Sequence, residues 1–410
     1  MKNFQENLEK YASLAIEVGV NIQKGQTLYI NAPISAVEFV RILQKKAYER
    51  GAFDVEVNWS DDDLTRTKFE MAPNEVFNYF PKYKVKHLEE LAENNAAFLS
   101  VLSSDPDLLN GIDPERIQTA SITRSTALKT FANYQMSDKV SWSIVSTPNK
   151  VWAKKIYPEL EEDEAVESLW NAIFSATRAN LAEPVQAWQE HIETLDTKAS
   201  HLNQQKYKAL HYVAEGTDLT IELPEKHVWI SAGSVNAQGT VFVANIPTEE
   251  VFTAPLRTGV NGTVTATKPL SYSGNLIENF SITFKDGKIV DYQAEKGYET
   301  LKNLIETDEG SHYLGEVALV PHRSPISDTD LIFYETLFDE NASNHIAIGK
   351  GYAFCIEGGK TMSEEVLKEN GLNDSLTHVD FMIGSEKMDI DGILADGTKE
   401  PVFRNGNWAF

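Results

Sequence analysis

The sequence predicts a mixed fold, α/β in its first half and α+β overall. An N-terminal α/β domain with a parallel-type sheet, residues 1–200, precedes a C-terminal β-rich domain, residues 201–410. Two observations predict this. Up to about residue 200, segments with helical spacing of apolar residues alternate with short apolar strands, the pattern of a parallel sheet with crossover helices. Beyond that point the chain reads as strands and turns.

The elements follow in order. Phe4–Val20 carries Leu8, Tyr11, Leu14, Ala15 and Val18 at helical spacing, so a helix is expected. Thr27–Asn31 reads as a strand, Ala36–Arg50 as an amphipathic helix ended by Gly51, and Asp54–Trp59 as an alternating strand. Ala97–Leu102 and Val140–Val145 are further strands. Leu160–Leu195 is helical, with a break at Pro184. A boundary is expected near Lys198–Lys206. In the second half, strands are expected at Leu219–Leu223, His227–Ser231, Thr240–Val243 and Gly262–Thr267, and a helix at Gly297–Thr307. Phe280–Lys285 and Lys288–Tyr292 flank Asp286-Gly287, a dipeptide suited to a type I′ hairpin turn, and Asn405-Gly406 offers another.

Bulk properties narrow the function. A formal net charge of -24 argues against nucleic acid, whose phosphates call for a surplus of Lys and Arg. Acidity of this kind serves solubility, and it also suits a surface that attracts cationic substrates or divalent metals. The single cysteine, Cys355, rules out a disulfide framework and sits in an apolar stretch that suits a buried thiol better than a nucleophile. The first residues lack a signal-peptide core, and no window approaches the roughly 18 uninterrupted apolar residues of a membrane span. The expected setting is cytoplasmic, with no membrane partner.

The motifs HExxH, GxSxG and Walker A are missing, and no GxGxxG follows an expected strand. The chemistry lies instead in short phrases of the second half. In HVDFMIG, strand alternation turns His378 and Asp380 to one side, and Val379, Phe381 and Ile383 to the other. Two ionisable side chains on an otherwise apolar strand are costly to bury unless paired or metal-bound, so a satisfied His–Asp hydrogen bond and a metal site both remain open. GEVALVP places Glu316 at the mouth of an apolar strand. TEEVFTAP offers Glu249 and Glu250 on opposite faces, and residue physics does not choose between them. FDENASNHIAIG holds Asp339, Glu340 and His345, and Tyr352 follows Gly349 and Gly351, where packing and catalysis are both open. Together, two histidines with three or four carboxylates exceed what one four-coordinate zinc needs. That count suits two divalent ions roughly 3.5–4 Å apart.

Read together, TEEVFTAP, GVNGTV, GEVALVP, NHIAIGKGY and HVDFMIGSEKMDIDG resemble the thermophilic aminopeptidase family, the aminopeptidase T, aminopeptidase S and PepS group of dinuclear metallopeptidases. The match spans the second half in order, and the first half is compatible in length and character. The resemblance implies Glu250, Glu316, His345, His378 and Asp380 as metal ligands, preferring Glu250 to Glu249, with Glu340 as a sixth. It implies Glu316 as the bridging carboxylate and Tyr352 as the catalytic tyrosine. It implies two divalent ions (zinc, cobalt or manganese), a bridging hydroxide that attacks the peptide bond, N-terminal trimming of short peptides, and a homodimer. In the expected mechanism Tyr352 stabilises the oxyanion, and Glu316 or Glu340 carries the proton to the leaving amine. Two other classes fit the residues less well. A dinuclear phosphoesterase or amidohydrolase is one, although the ligand phrases are poor in the basic residues that phosphate wants. The other is a non-enzymatic metal-binding, ligand-binding protein, although structural zinc sites are usually rich in cysteine.

Overall fold

The structure, a computed structural model, describes residues 3–103 and 105–410. The chain forms two compact units that are not contiguous halves. One comprises Met1–Ile112, Ala127–Thr194 and Ala232–Thr248; the other comprises Asp113–Thr126, Leu195–Ser231 and Glu249–Phe410. The helix Pro184–Gln205 runs through most of the region where a boundary was expected.

The first unit holds strands β1 (Thr27–Pro33), β2 (Asp54–Ser60), β3 (Ala97–Leu102) and β4 (Trp142–Ser146). They form a wholly parallel sheet in the order β2-β1-β3-β4. Leu28, Ile30, Leu99 and Val145 are fully buried in it, and Tyr11 of the first helix stacks on Phe39 beside them. That first helix is shorter than its periodicity suggests. It is α-helical over Phe4–Ser13 and widens to a π turn over Leu14–Gly19. The widening ends where Gly19 lies so close to Ser143 that a Cβ would come within 2.7 Å of the hydroxyl. The Leu160–Leu195 stretch resolves into Glu162–Ala176 and a second helix opened by Pro184. There the missing N–H of proline costs no hydrogen bond.

The remaining strands, in chain order, are β5 (Ala209–Ala214), β6 (Thr217–Glu222), β7 (Gly233–Val235), β8 (Val241–Val243), β9 (Val251–Thr253), β10 (Val260–Thr265), β11 (Leu270–Tyr272), β12 (Asn275–Lys285), β13 (Lys288–Lys296), β14 (Leu314–Leu319), β15 (His345–Gly349), β16 (His378–Met382), β17 (Asp389–Ile393), β18 (Lys399–Arg404) and β19 (Asn407–Trp408). The β7–β8 ribbon belongs to the first unit. In the second unit a nine-stranded sheet runs β11-β12-β10-β6-β5-β17-β18-β19, with β13 also paired to β12. A separate sheet runs β16-β15-β14-β9, antiparallel throughout.

The hairpin turns form as the dipeptides predict. Asp286 and Gly287 have φ of 49° and 82°, and Asn405 and Gly406 have 49° and 72°. Two positive φ values in succession define the type I′ geometry, which twists with the flanking strands. His227–Ser231, expected as a strand, makes only isolated bridges, His227 to Ile356 and Ile230 to Phe252. The reason is a tertiary contact: the Asn203 side chain takes both the N–H and the C=O of Trp229, at 2.9 Å each, in place of a neighbouring strand. Among the described residues no helix is long and apolar enough to cross a membrane.

Where β15 meets β16, Gly349 has φ +109°, and a Cβ there would lie 2.1 Å from the Thr377 carbonyl oxygen. Gly349→Ala is therefore expected to destabilise the protein by about 1–3 kcal/mol from backbone conformation alone, and by more once the clash is added. Thermal melting checks this; a Tm equal to that of the wild type would contradict it.

Candidate metal centre

The β16-β15-β14-β9 sheet positions the ionisable residues by register. Directly paired residues of antiparallel strands point to the same face. Across the sheet, Phe252 pairs Ala318, Ala318 pairs His345, and His345 pairs Met382. The next row is Glu316, Ala347 and Asp380, and the one beyond pairs Gly349 with His378. One face therefore carries Glu316, His345, His378 and Asp380. The small residues Ala318, Ala347 and Gly349 lie between them. Glu250 stands two residues before Phe252 and so belongs to the same face, with Glu249 on the other. A register shift between Leu314 and Glu316 bends β14 at this point, as bulges next to functional sites do.

These side chains converge. His345 Nε2 lies 3.1 Å from Glu250 Oε2 and 3.6 Å from Glu316 Oε1. His378 Nε2 lies 3.6 Å from Glu316 Oε2 and 3.5 Å from Asp380 Oδ2. Two sets result, Glu250–Glu316–His345 and Glu316–His378–Asp380, in each of which the donor atoms lie within 4.8 Å of one another. Glu316 is common to both and turns one carboxylate oxygen to each histidine. Glu340 falls outside the two sets, yet it is buried and within electrostatic reach of Asp380, His345, Glu250 and Glu316. Tyr352 packs edge-on to His378 with ring centroids 4.9 Å apart, and it stacks on Phe354. Cys355 is buried in the same apolar cluster.

The imidazoles are oriented by backbone carbonyls. His345 Nδ1 donates to the carbonyls of Glu340 at 2.9 Å and Ser343 at 3.1 Å; His378 Nδ1 donates to Lys350 O at 2.6 Å. This holds each Nε2 toward the carboxylates, the arrangement that presents Nε2 to a cation once its proton is lost. Sequence reading missed these orienting groups because a carbonyl leaves no trace in residue identity.

The electrostatics are those of crowded, buried charge. Burial pushes the Glu316 carboxyl up to about 7; His345 and His378 oppose that rise, while Asp380 and Glu250 add to it. Burial, followed by the charge of Asp380, holds Glu340 well above the usual carboxylate range. Burial works against a charge on His345, but Glu250 and Glu316 outweigh it and hold the imidazole well above its ordinary value. His378 is raised in the same way, by Asp380 and Glu316 against burial. Burial and the surrounding carboxylates keep the Tyr352 phenol protonated far into the alkaline range. Asp380 Oδ1 is buried with no hydrogen-bond partner, which a coordinated cation would supply. Oxygen and imidazole donors in this number fit divalent cations, and the residues present fit such a group.

A face of this kind, with carboxylate and imidazole donors gathered from separate strands, is the kind of divalent-metal site that metal-dependent hydrolases use. The chain belongs to the family of thermophilic metalloproteases (M29), which it matches over residues 4–408. It is 59% identical to aminopeptidase AmpS of Bacillus subtilis (strain 168), over 100% of both chains. It is 51% identical to aminopeptidase 2 of Geobacillus stearothermophilus, over 100% of this chain and 99% of the relative. The solved structure of wild-type AmpT from Thermus thermophilus is 43% identical, covers 99% of this chain and 100% of its own, and superposes with a TM-score of 0.91. The family that the five sequence phrases resemble is thus the family of the chain, and the chain is a peptide-bond hydrolase that uses a metal.

Because Glu316, Glu340, His345 and His378 all have folded values above their ordinary ones, this cluster binds more protons in the metal-free folded protein than in the unfolded chain. Their contribution to stability is present at low pH and lost as pH rises; for Glu316 the loss runs from 4.5 to about 7. The chelator-treated protein is expected to melt at a lower temperature at about pH 8 than at about pH 6, and added divalent metal to raise Tm more at the higher pH. A metal-free Tm that rises over this interval would contradict the charge arrangement.

Proposed function

We propose that this metalloprotease is an aminopeptidase that removes N-terminal residues from short peptides, with two divalent cations held by Glu250, Glu316, Glu340, His345, His378 and Asp380. The observation that carries the proposal is Glu316, whose two oxygens face two different histidines, each backed by its own carboxylate. A pair of sites sharing one carboxylate is how dinuclear hydrolases are built. Glu250 and His345 would serve one cation, and His378 and Asp380 the other, with Glu316 shared and Glu340 buried beside them. Bound cations supply Lewis acidity toward the scissile carbonyl and a water nucleophile near neutral pH. Zinc, cobalt and manganese are the candidate ions.

The chain's own residues do the rest. The buried carboxylates give the positively charged α-amino group of a peptide its anchor. Tyr352, protonated at neutral pH, donates a hydrogen bond to the carbonyl oxygen as negative charge develops there. A carboxylate beside the water, Glu316 or Glu340, is the group to carry the proton from water to the leaving amine. A homodimer in the cytoplasm completes the reading, and a chain with one cysteine suits a reducing compartment.

Chelation should abolish hydrolysis of an aminoacyl-anilide, and a divalent ion should restore it. Elemental analysis together with anomalous scattering should count two ions per chain, and a single ion would end the dinuclear proposal. His378→Ala and Asp380→Ala should each lose metal and activity while staying folded. Glu250→Gln should cost far more activity than Glu249→Gln, because only the former faces the site; equal losses would mean that both carboxylates serve it. Tyr352→Phe keeps the ring against His378 and Phe354, so kcat and kcat/KM should fall together, on the order of a hundredfold to a thousandfold, with bound metal unchanged. A kcat within about twofold of wild type on that scale would remove Tyr352 from the mechanism.

A further inference from the structure

Asn341 is fully buried, and its side-chain amide joins two parts of the site that are far apart in sequence. Its Oδ1 accepts the backbone N–H of Glu249 at 2.8 Å. Its Nδ2 donates to the Leu337 carbonyl at 2.9 Å and to Glu340 Oε1 at 3.2 Å. The orientation of the amide follows from this network: the Glu249 N–H can only donate, so the atom facing it must be the oxygen. A single side chain thus grips the Thr248–Glu249 peptide unit, one residue before Glu250, and the carboxylate of Glu340.

The residue type matters. An aspartate could hold the Glu249 N–H but would repel Glu340, and a lysine or arginine would cancel the charge a cation needs. A neutral amide aims a carboxylate and leaves its charge in place. The turn Glu340–Ala342 that carries Asn341 also supplies the Glu340 carbonyl, which orients His345.

We propose that Asn341 is a positioning residue of the metal centre: it fixes the Glu340 carboxylate relative to the backbone of the Glu250 segment, so that both carboxylates face the metal site. The inference rests on the assignment of Glu250 and Glu340 as ligands made above.

The test is a double-mutant cycle read as zinc affinity, by competition with a chromophoric chelator, on wild type, Asn341→Ala, Glu340→Gln and the double variant. Asn341→Ala should weaken zinc binding about 10–100-fold. In the Glu340→Gln background the same change should add little, because residues acting as one unit are not additive. Melting of the chelator-treated variant should show the fold retained, and at saturating zinc the loss should appear in kcat more than in KM. If Glu340→Gln is weakened while Asn341→Ala binds within about twofold of wild type on that scale, the inference falls and the ligand assignment stands. If Glu340→Gln itself binds as wild type, the ligand assignment falls and takes the inference with it. Fully additive losses would assign Asn341 an independent structural role and overturn the proposal. Should Asn341→Ala not fold, Asn341→Ser carries the same comparison, and failure of both to fold without metal would make Asn341 a core residue and likewise overturn it.

Discussion

The metal site of the second unit answers to one constraint: four carboxylates and two imidazoles are crowded together, largely out of water, at one face of a small sheet. Charges of like sign repel strongly where water is excluded, and each carboxylate also loses its hydration on burial. Left to themselves, such groups would take up protons or move apart. The raised values of Glu316 and Glu340 record the first tendency. The fold opposes the second by mounting Glu316, His345, His378 and Asp380 on paired strands, whose ladder hydrogen bonds fix each Cα.

The sheet face is economical in what surrounds those charges. Ala318, Ala347 and Gly349 occupy the positions between the ionisable residues, and none of them fills the space above the strands. On the opposite side of β16, Phe381 is buried against Phe280, so the strand is clamped from behind by apolar packing. The carbonyls of Glu340, Ser343 and Lys350 then set the two imidazole planes. Rigidity behind the face is what a site needs if donor atoms are to keep their places whether or not a cation is present.

Much of this was legible in the sequence. The alternation in HVDFMIG put His378 and Asp380 on one side and Phe381 on the other, and the structure does the same, because a strand has a strict two-residue period. Asp286-Gly287 announced its turn because few residues tolerate two successive positive φ values. The parallel sheet followed from alternating helix and strand patterns. Other features depend on tertiary partners and left no local mark. His227–Ser231 has a strand's composition, yet the Asn203 side chain claims the hydrogen bonds of Trp229. The choice of Glu250 over Glu249 needs the pairing of Phe252 with Ala318, which no local pattern contains. Glu249 is itself buried, so polarity alone could not separate the pair. Asn341, an unremarkable amide in a polar phrase, joins residues 92 positions apart.

The division of the chain into non-contiguous units bears on how it is made. Ile144 of β4 donates its N–H to Ala244 and accepts from Ile246, and it bridges Asn245, all within the first unit. The β4 edge of the parallel sheet is therefore covered by a segment that leaves the ribosome about a hundred residues later, after β5 and β6 of the other unit. Until then the nascent sheet has β4 as an open border, the kind of edge on which a stray strand can add. Domains usually fold in order as they emerge. Here the edge of the earlier unit is closed only once Ala232–Thr248 has been made, so the first unit is completed after part of the second has already emerged.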